Sequence, residues 1–210
     1  MLKVMKNKFL FELGTEEIPA GMIEPALSQM SQSCKALLGE HHLDYQRVRT
    51  FSSPRRLALL VEGVSDGQSD REEVVMGPPI SVAFDDSDNP TKAAEGFARK
   101  FTVPVEDLEI LDTDKGSYLA YRHNVLGKTT VEVIPKILTE ILNSISWPKN
   151  MYWRKSGFRF IRPLRWFVVL WNEEFLSFEF EGVQSGRTTR GHRFLASEPV
   201  VLSNVDEYVE

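Results

Sequence analysis

The chain has 210 residues, 42% of them hydrophobic and 26% charged, which supplies a globular core and excludes disorder as its main state. Its 25 basic and 30 acidic residues leave a net charge of −5, which argues against nucleic-acid binding over the whole surface, so the placement of charge has to carry any such function. The longest apolar run, Trp166 to Trp171, is far short of the roughly 20 residues that cross a bilayer. Lys3, Lys6 and Lys8 precede only Phe9-Leu10-Phe11, which is no signal-peptide core, so the chain reads as cytoplasmic with no membrane partner. Cys34 is the single cysteine, which excludes an internal disulfide framework and a multi-cysteine zinc site. With four histidines in the chain, no metal site is expected.

In chain order, Asn7 to Leu13 reads as a buried strand ended by Gly14. A helix follows, and because Pro25 belongs in a first turn, the spacing predicts a regular start near Glu24. Leu27, Met30, Cys34, Leu37 and Leu38 repeat at three and four, which puts Cys34 on the core face, and Gly39 is placed to close the helix in a left-handed cap. Arg47 to Phe51 and Leu57 to Val61 read as two strands joined by a short turn at which Arg55 and Arg56 stand. A strand from Glu73 to Met76 should stop at Gly77-Pro78-Pro79, since proline cannot donate to a ladder. Asp85 to Pro90 is a polar turn. Thr91 to Phe101 reads as a short amphipathic helix and Tyr118 to Val125 as a strand. Val131 to Ile145 carries an apolar helical stripe, and Thr129 with Glu132 has capping-box spacing; Pro135 conflicts with that start, so the helix begins later or bends there. Leu164 to Leu170 and Phe175 to Phe180 read as a hairpin around Asn172-Glu173. The fold class is therefore α+β: a mixed, mainly antiparallel sheet with packed amphipathic helices. The composition shift near Ser146 suggests a boundary between an α+β region, 1–145, and a basic, β-rich region, 146–210.

Candidate chemistry narrows quickly. Asp112, Asp114 and Gly116 lack the spacing of a calcium loop and read as a solvated turn. The Gly182 to Gly186 segment is no nucleophile elbow, and Ser185-Gly186-Arg187-Thr188 is no phosphate loop. His41, His42 and Asp44 fit a surface turn. The informative feature is charge placement. Ile141 to Asn172 contains no acid but holds Lys149, Arg154, Lys155, Arg159, Arg162 and Arg165, interleaved with Trp147, Tyr152, Trp153, Phe158, Phe160 and Trp166. Arginine forks pair with phosphates and aromatic faces stack on unpaired bases, so this pattern suits RNA. The alternative is that the aromatics are core and the basic residues a solvated face or a subunit contact. A second acid-free stretch, Gly182 to Ser197, carries Arg187, Arg190, His192 and Arg193. Arginines this dense repel one another unless an anion or carboxylate lies between them, so either RNA phosphates or internal acids should accompany them.

Several segments, taken together and in order, resemble a known family: Phe11-Glu12-Leu13-Gly14-Thr15-Glu16-Glu17-Ile18-Pro19, Ser53-Pro54-Arg55-Arg56-Leu57, Ala93-Ala94-Glu95-Gly96-Phe97-Ala98, Asp114-Lys115-Gly116, Arg162-Pro163-Leu164-Arg165-Trp166, and Ser185 through Phe194. They are similar to the amino-terminal region of the bacterial glycine-tRNA ligase β subunit. One departure is Met151-Tyr152-Trp153, where that family more often has a basic residue between methionine and tryptophan. The resemblance implies a class II type ligase assembled as α2β2, with ATP and Mg2+ used in the α subunit and tRNA(Gly) contacted by β. It also implies no DNA partner, and that this chain is a fragment of a longer subunit that forms no glycyl adenylate alone. No FRxE-like, HIGH-like or KMSKS-like pattern occurs, so no catalytic residue is expected here. The candidate RNA-binding residues are Arg154, Lys155, Arg159, Arg162, Arg165, Arg187, Arg190, His192 and Arg193.

Overall fold

The computed structural model describes residues 7–152, 157–192, 195–196 and 198–209. In chain order its elements are β1 (Asn7–Thr15), α1 (Ala20–Glu40), β2 (Arg47–Ser53), β3 (Arg56–Val64), β4 (Arg71–Pro79), α2 (Ile80–Ala83), α3 (Lys92–Phe101), β5 (Glu109–Thr113), β6 (Gly116–Val125) and α4 (Thr130–Ser144). Beyond these come β7 (Met151–Tyr152), β8 (Arg159–Phe160), β9 (Leu164–Trp171), β10 (Glu174–Phe175), β11 (Glu179–Phe180), β12 (Val183–Gly186), β13 (Thr188–Arg190) and β14 (Pro199–Val201). The class is α+β as expected. Among the described residues every strand pairing is antiparallel except β9 with β12. Two compact units form, Met1–Gln68 with Lys128–Glu210, and Ser69–Gly127. The composition shift near Ser146 lies within the first unit, where β1 pairs β9 from beyond it.

In the first unit the large sheet runs β11-β12-β9-β1-β3-β2, with β10 paired to β9. Phe9, Phe11 and Leu13 of β1 join Leu57, Leu59, Val61, Phe167 and Val169 in a core that also takes the apolar faces of α1 and α4. The alternate residue Leu10 packs with Leu60, Val168 and Leu170 beneath Leu202, Val205 and Tyr208. Coverage of both faces is why Phe9, Leu10 and Phe11 of the opening strand are apolar at successive rather than alternate positions.

The helices differ from expectation at their ends. α1 starts at Ala20 rather than near Glu24 and contains Pro25, which sits on an exposed face where the chain loses one backbone bond but no packing. Gly39 lies inside α1; the left-handed residue is His42, at φ +52, and the Leu43 N–H closes the end on the Leu38 carbonyl at 2.8 Å. α4 begins at its capping position despite Pro135. The Glu132 carboxylate accepts from the Thr129 N–H at 2.9 Å and hydroxyl at 2.7 Å. The expected second strand of the Asn172 hairpin, Phe175 to Phe180, is broken: β10 pairs β9, and β11 pairs β12 instead.

The second unit is the sheet β4-β6-β5 with α2 and α3, around a small core of Ala83, Ala94 and Leu119. β4 continues through the two prolines to Pro79, with a register shift between Met76 and Pro79. It is an edge strand, where a missing donor costs no ladder bond. Phe101 of α3 packs on Tyr121 of β6 at 4.6 Å.

Candidate functional site

β1 carries a charge in the middle of its apolar run. Glu12 is 0% exposed, and its carboxylate accepts hydrogen bonds from Trp166 Nε1 at 2.5 Å, Thr189 Oγ1 at 2.7 and 2.8 Å, and the Tyr208 hydroxyl at 2.6 Å. Arg56 Nη1 stands 3.9 Å away. Removing a carboxylate from water costs several kcal/mol unless such donors and a countercharge replace the water, which this set does. Gly14 shares this face, and a Cβ there would lie 2.0 Å from ring carbons of Trp166. Only glycine lets the indole cross the strand and reach Glu12. Burial, then the Glu12 charge beside it, pushes the Tyr208 phenol well above the ordinary tyrosine value.

Two of the recognised segments are joined directly to this strand. The Thr15 N–H donates to the Arg55 carbonyl at 2.9 Å and the Ile18 N–H to the Pro54 carbonyl at 2.7 Å, which locks Thr15 to Ile18 against the β2–β3 turn.

The residues nominated from sequence fall into different settings. Arg154, Lys155 and Arg193 lie outside the described residues. Arg159 is exposed in the β7–β8 pair, its guanidinium 4.3 Å from the Tyr152 ring centroid and bonded to the Tyr152 hydroxyl. Arg162 Nε donates to the Glu17 carbonyl at 2.8 Å. Arg165 Nε donates to Glu16 Oε1 at 2.6 Å, and Arg55 Nη2 reaches Glu16 Oε2 at 3.5 Å, so Glu16 is a carboxylate held between two arginines. Arg187 donates to the carbonyls of Glu173 at 2.7 Å, Ser203 at 3.0 Å and Leu202 at 3.4 Å, and acts as a clamp on the last residues of the chain. Arg190 is exposed, with its guanidinium 5.4 Å from the Trp166 ring. His192 is exposed and its Nδ1 accepts from the Leu195 N–H at 3.3 Å. Of the interleaved aromatics, Trp147 and Phe160 are core and Phe158 packs against it; Tyr152 is exposed.

Sequence reasoning passed over Glu12, Thr189 and Tyr208. For Glu12 a signal existed, since a lone charge inside Phe9 to Leu13 has to be either solvated or paired.

Beside this hub, Ser53, Pro54, Arg55 and Arg56 of the β2–β3 turn face Gly191, His192 and Glu17 across a cleft of about 290 Å³. A second, of about 240 Å³, is lined by Phe51, Arg56, Thr189, Leu202 and Tyr208. Gly191 is needed for the wall, since a Cβ there would lie 2.4 Å from the Ala196 carbonyl oxygen. The cleft offers the hydrogen-bond donors of two guanidinium groups, with the Glu17 carboxylate also in its lining. Burial pushes the Cys34 thiol up to about 12, which leaves it a small apolar core group rather than a nucleophile. Among the described residues no group of three or more His, Cys, Asp or Glu is arranged to hold a metal ion, and no helix is long and apolar enough to cross a membrane.

Comparison with known proteins agrees with the motifs. The family model described as glycyl-tRNA synthetase beta subunit matches residues 9–210. The glycine–tRNA ligase beta subunit of Thermodesulfovibrio yellowstonii is 41% identical over 202 residues, which are 96% of this chain and 30% of that protein. That of Syntrophus aciditrophicus is 40% identical over 205 residues, 98% of this chain and 30% of the relative. That of Desulfitobacterium hafniense strain DCB-2 is 40% identical over 204 residues, 97% and 29%. The chain thus spans about 30% of the length of these curated relatives. Since the family match runs through β1, the β2–β3 turn, β9 and β13, which together build the Glu12 hub, the chain belongs to the glycyl-tRNA synthetase beta subunit family.

Proposed function

We propose that this chain serves the attachment of glycine to tRNA(Gly) in a cytoplasmic ligase, as the part of a β subunit that contacts tRNA and helps to assemble an α2β2 complex. Glycine activation with ATP and Mg2+ belongs to the α subunit in this reading, and no residue of this chain takes part in that chemistry. The observation that carries it is the exposed set Arg165, Arg190 and His192: Arg165 is held by Glu16, which also meets Arg55, Arg190 lies over the Trp166 ring, and His192 lines one cleft with Arg55 and Arg56. Arginines fixed by packing present guanidinium faces to a phosphate backbone with little ordering cost.

In the assembled enzyme, the double substitution Arg165→Ala, Arg190→Ala should weaken tRNA binding and lower the dependence of log affinity on log salt by about one per phosphate contact removed. Unchanged affinity and slope would sink the tRNA assignment. A second reading, that the segment is a scaffold or subunit contact, is favoured at Arg187, whose three carbonyl acceptors lie within the chain. Arg187→Ala should lower the melting temperature, and loss of α-subunit association in the Arg165, Arg190 variant with tRNA affinity intact would extend that reading to the whole surface.

A further inference from the structure

We propose that the cleft between Pro54-Arg55-Arg56 and Gly191-His192 holds one unpaired nucleotide through its single phosphate. The inference rests on the tRNA-contact reading and names the ligand of one part of that surface. At about 290 Å³ the cleft falls just below the roughly 300–1,000 Å³ range of small-ligand sites, the size of one compact group rather than of a duplex.

Two guanidinium forks reach it, already oriented. Arg55 uses Nε on the Thr15 carbonyl at 3.3 Å and Nη2 on Glu16. Arg56 uses Nε on Ser53 Oγ at 3.1 Å and Nη1 on Thr189 Oγ1 at 3.5 Å. Each guanidinium carries five N–H donors, so both retain donors for an anion. Glu12 and Glu16 lower the net charge near Arg56 and Arg55, yet the Glu12 oxygens are engaged by shorter bonds from Trp166, Thr189 and Tyr208, and Glu12 is fully buried. Pro54 and Gly191 line the cleft without adding charge, and the exposed His192 imidazole supplies a ring on which a base stacks. Glu17 stands in the lining as well. A carboxylate in the lining makes each further phosphate group less favourable, so a single phosphate suits the cleft better than a triphosphate.

The same chemistry is offered by an unpaired nucleotide of an RNA strand and by a free nucleoside monophosphate, and the test separates them. The 15N-labelled chain is titrated with AMP, ATP, adenosine and a single-stranded tetranucleotide while the backbone amides of Arg55, Arg56, Gly191 and His192 are followed. AMP and the tetranucleotide should shift these amides, with adenosine weaker by about tenfold or more, the loss expected for one or more charge-assisted bonds, and ATP weaker than AMP. Tighter binding of the tetranucleotide assigns the site to an RNA strand, and tighter binding of AMP assigns it to a free nucleotide. His192→Ala should weaken binding by about fivefold with thermal melting unchanged, and Arg55→Gln should weaken it by about tenfold with a lower melting temperature, because the Thr15 and Glu16 contacts go with the guanidinium. Absent shifts, shifts that persist in both variants, or ATP bound more tightly than AMP overturns the proposal. Loss of cleft binding alongside salt-dependent tRNA binding that still responds to Arg165 and Arg190 refutes the cleft alone; an intact cleft with unresponsive tRNA binding refutes the wider reading alone.

Discussion

At Glu12 one carboxylate accepts from side chains 154, 177 and 196 positions away, so a single residue ties the first strand to β9, β13 and the final turn. Glu12→Ala leaves those donors and Arg56 without their acceptor and should cost about 3–5 kcal/mol in urea unfolding. Glu12→Gln keeps one acceptor oxygen and should fall between the two. Tyr208 supplies the pH dependence of the hub. Its folded phenol is raised by burial and by Glu12, so its contribution is fully present below the ordinary tyrosine value of about 10 and declines as pH rises above it. Tyr208→Phe should flatten that alkaline decline, measured as unfolding free energy against pH. A matching slope in wild type and variant would show that the phenol is not the group responsible. The charge at position 12 was visible in an apolar run, but its partners were not, because nothing local marks a hydroxyl 196 positions away as a donor.

The helices show what local pattern reveals and where it stops. Apolar residues at three and four spacing mark the buried faces of α1 and α4, and those faces are the ones that pack into the core. Each helix also carries proline at its sixth residue: Pro25, read from the pattern as a start near Glu24, and Pro135, read as a later start or a bend. The tertiary packing of the buried faces outweighs one missing backbone bond. At the start of α4, Thr129→Ala should cost about 1 kcal/mol by thermal or urea unfolding. Its partner Glu132 is held below the ordinary glutamate range first by the Thr129 hydroxyl and then by the Thr129 N–H. The helix-start contribution is therefore present above about pH 4.3 and lost as pH falls through the depressed value. An acid unfolding profile identical in wild type and Thr129→Ala would contradict this. The elements that escaped sequence reading are short: β5 has five residues whose two apolar positions, Ile110 and Leu111, are adjacent rather than alternating, and α2 has four, little more than one helical turn.

Across the whole molecule, two units differ in what holds them. The first contains the two-sided sheet and its large core, while the second rests on Ala83, Ala94 and Leu119 with half-buried residues around them. Backbone amides of β6 should therefore exchange with solvent faster than those of β1, by about tenfold or more, in native-state hydrogen exchange. Equal protection would mean that the small core opens only with global unfolding. The sequence by itself determined the α+β class, the core faces of the helices, the motif set that places the chain in its family and the acid-free stretches, since periodicity, composition and motif order are properties of the chain read in one dimension. Only the tertiary structure decided what the basic residues do. Arg165 meets Glu16 across 149 positions and Arg162 meets the Glu17 carbonyl across 145, while Arg187 closes on carbonyls 14 to 16 positions away. A guanidinium takes its role from the acceptors around it, and those are assembled by the fold rather than by neighbours in sequence.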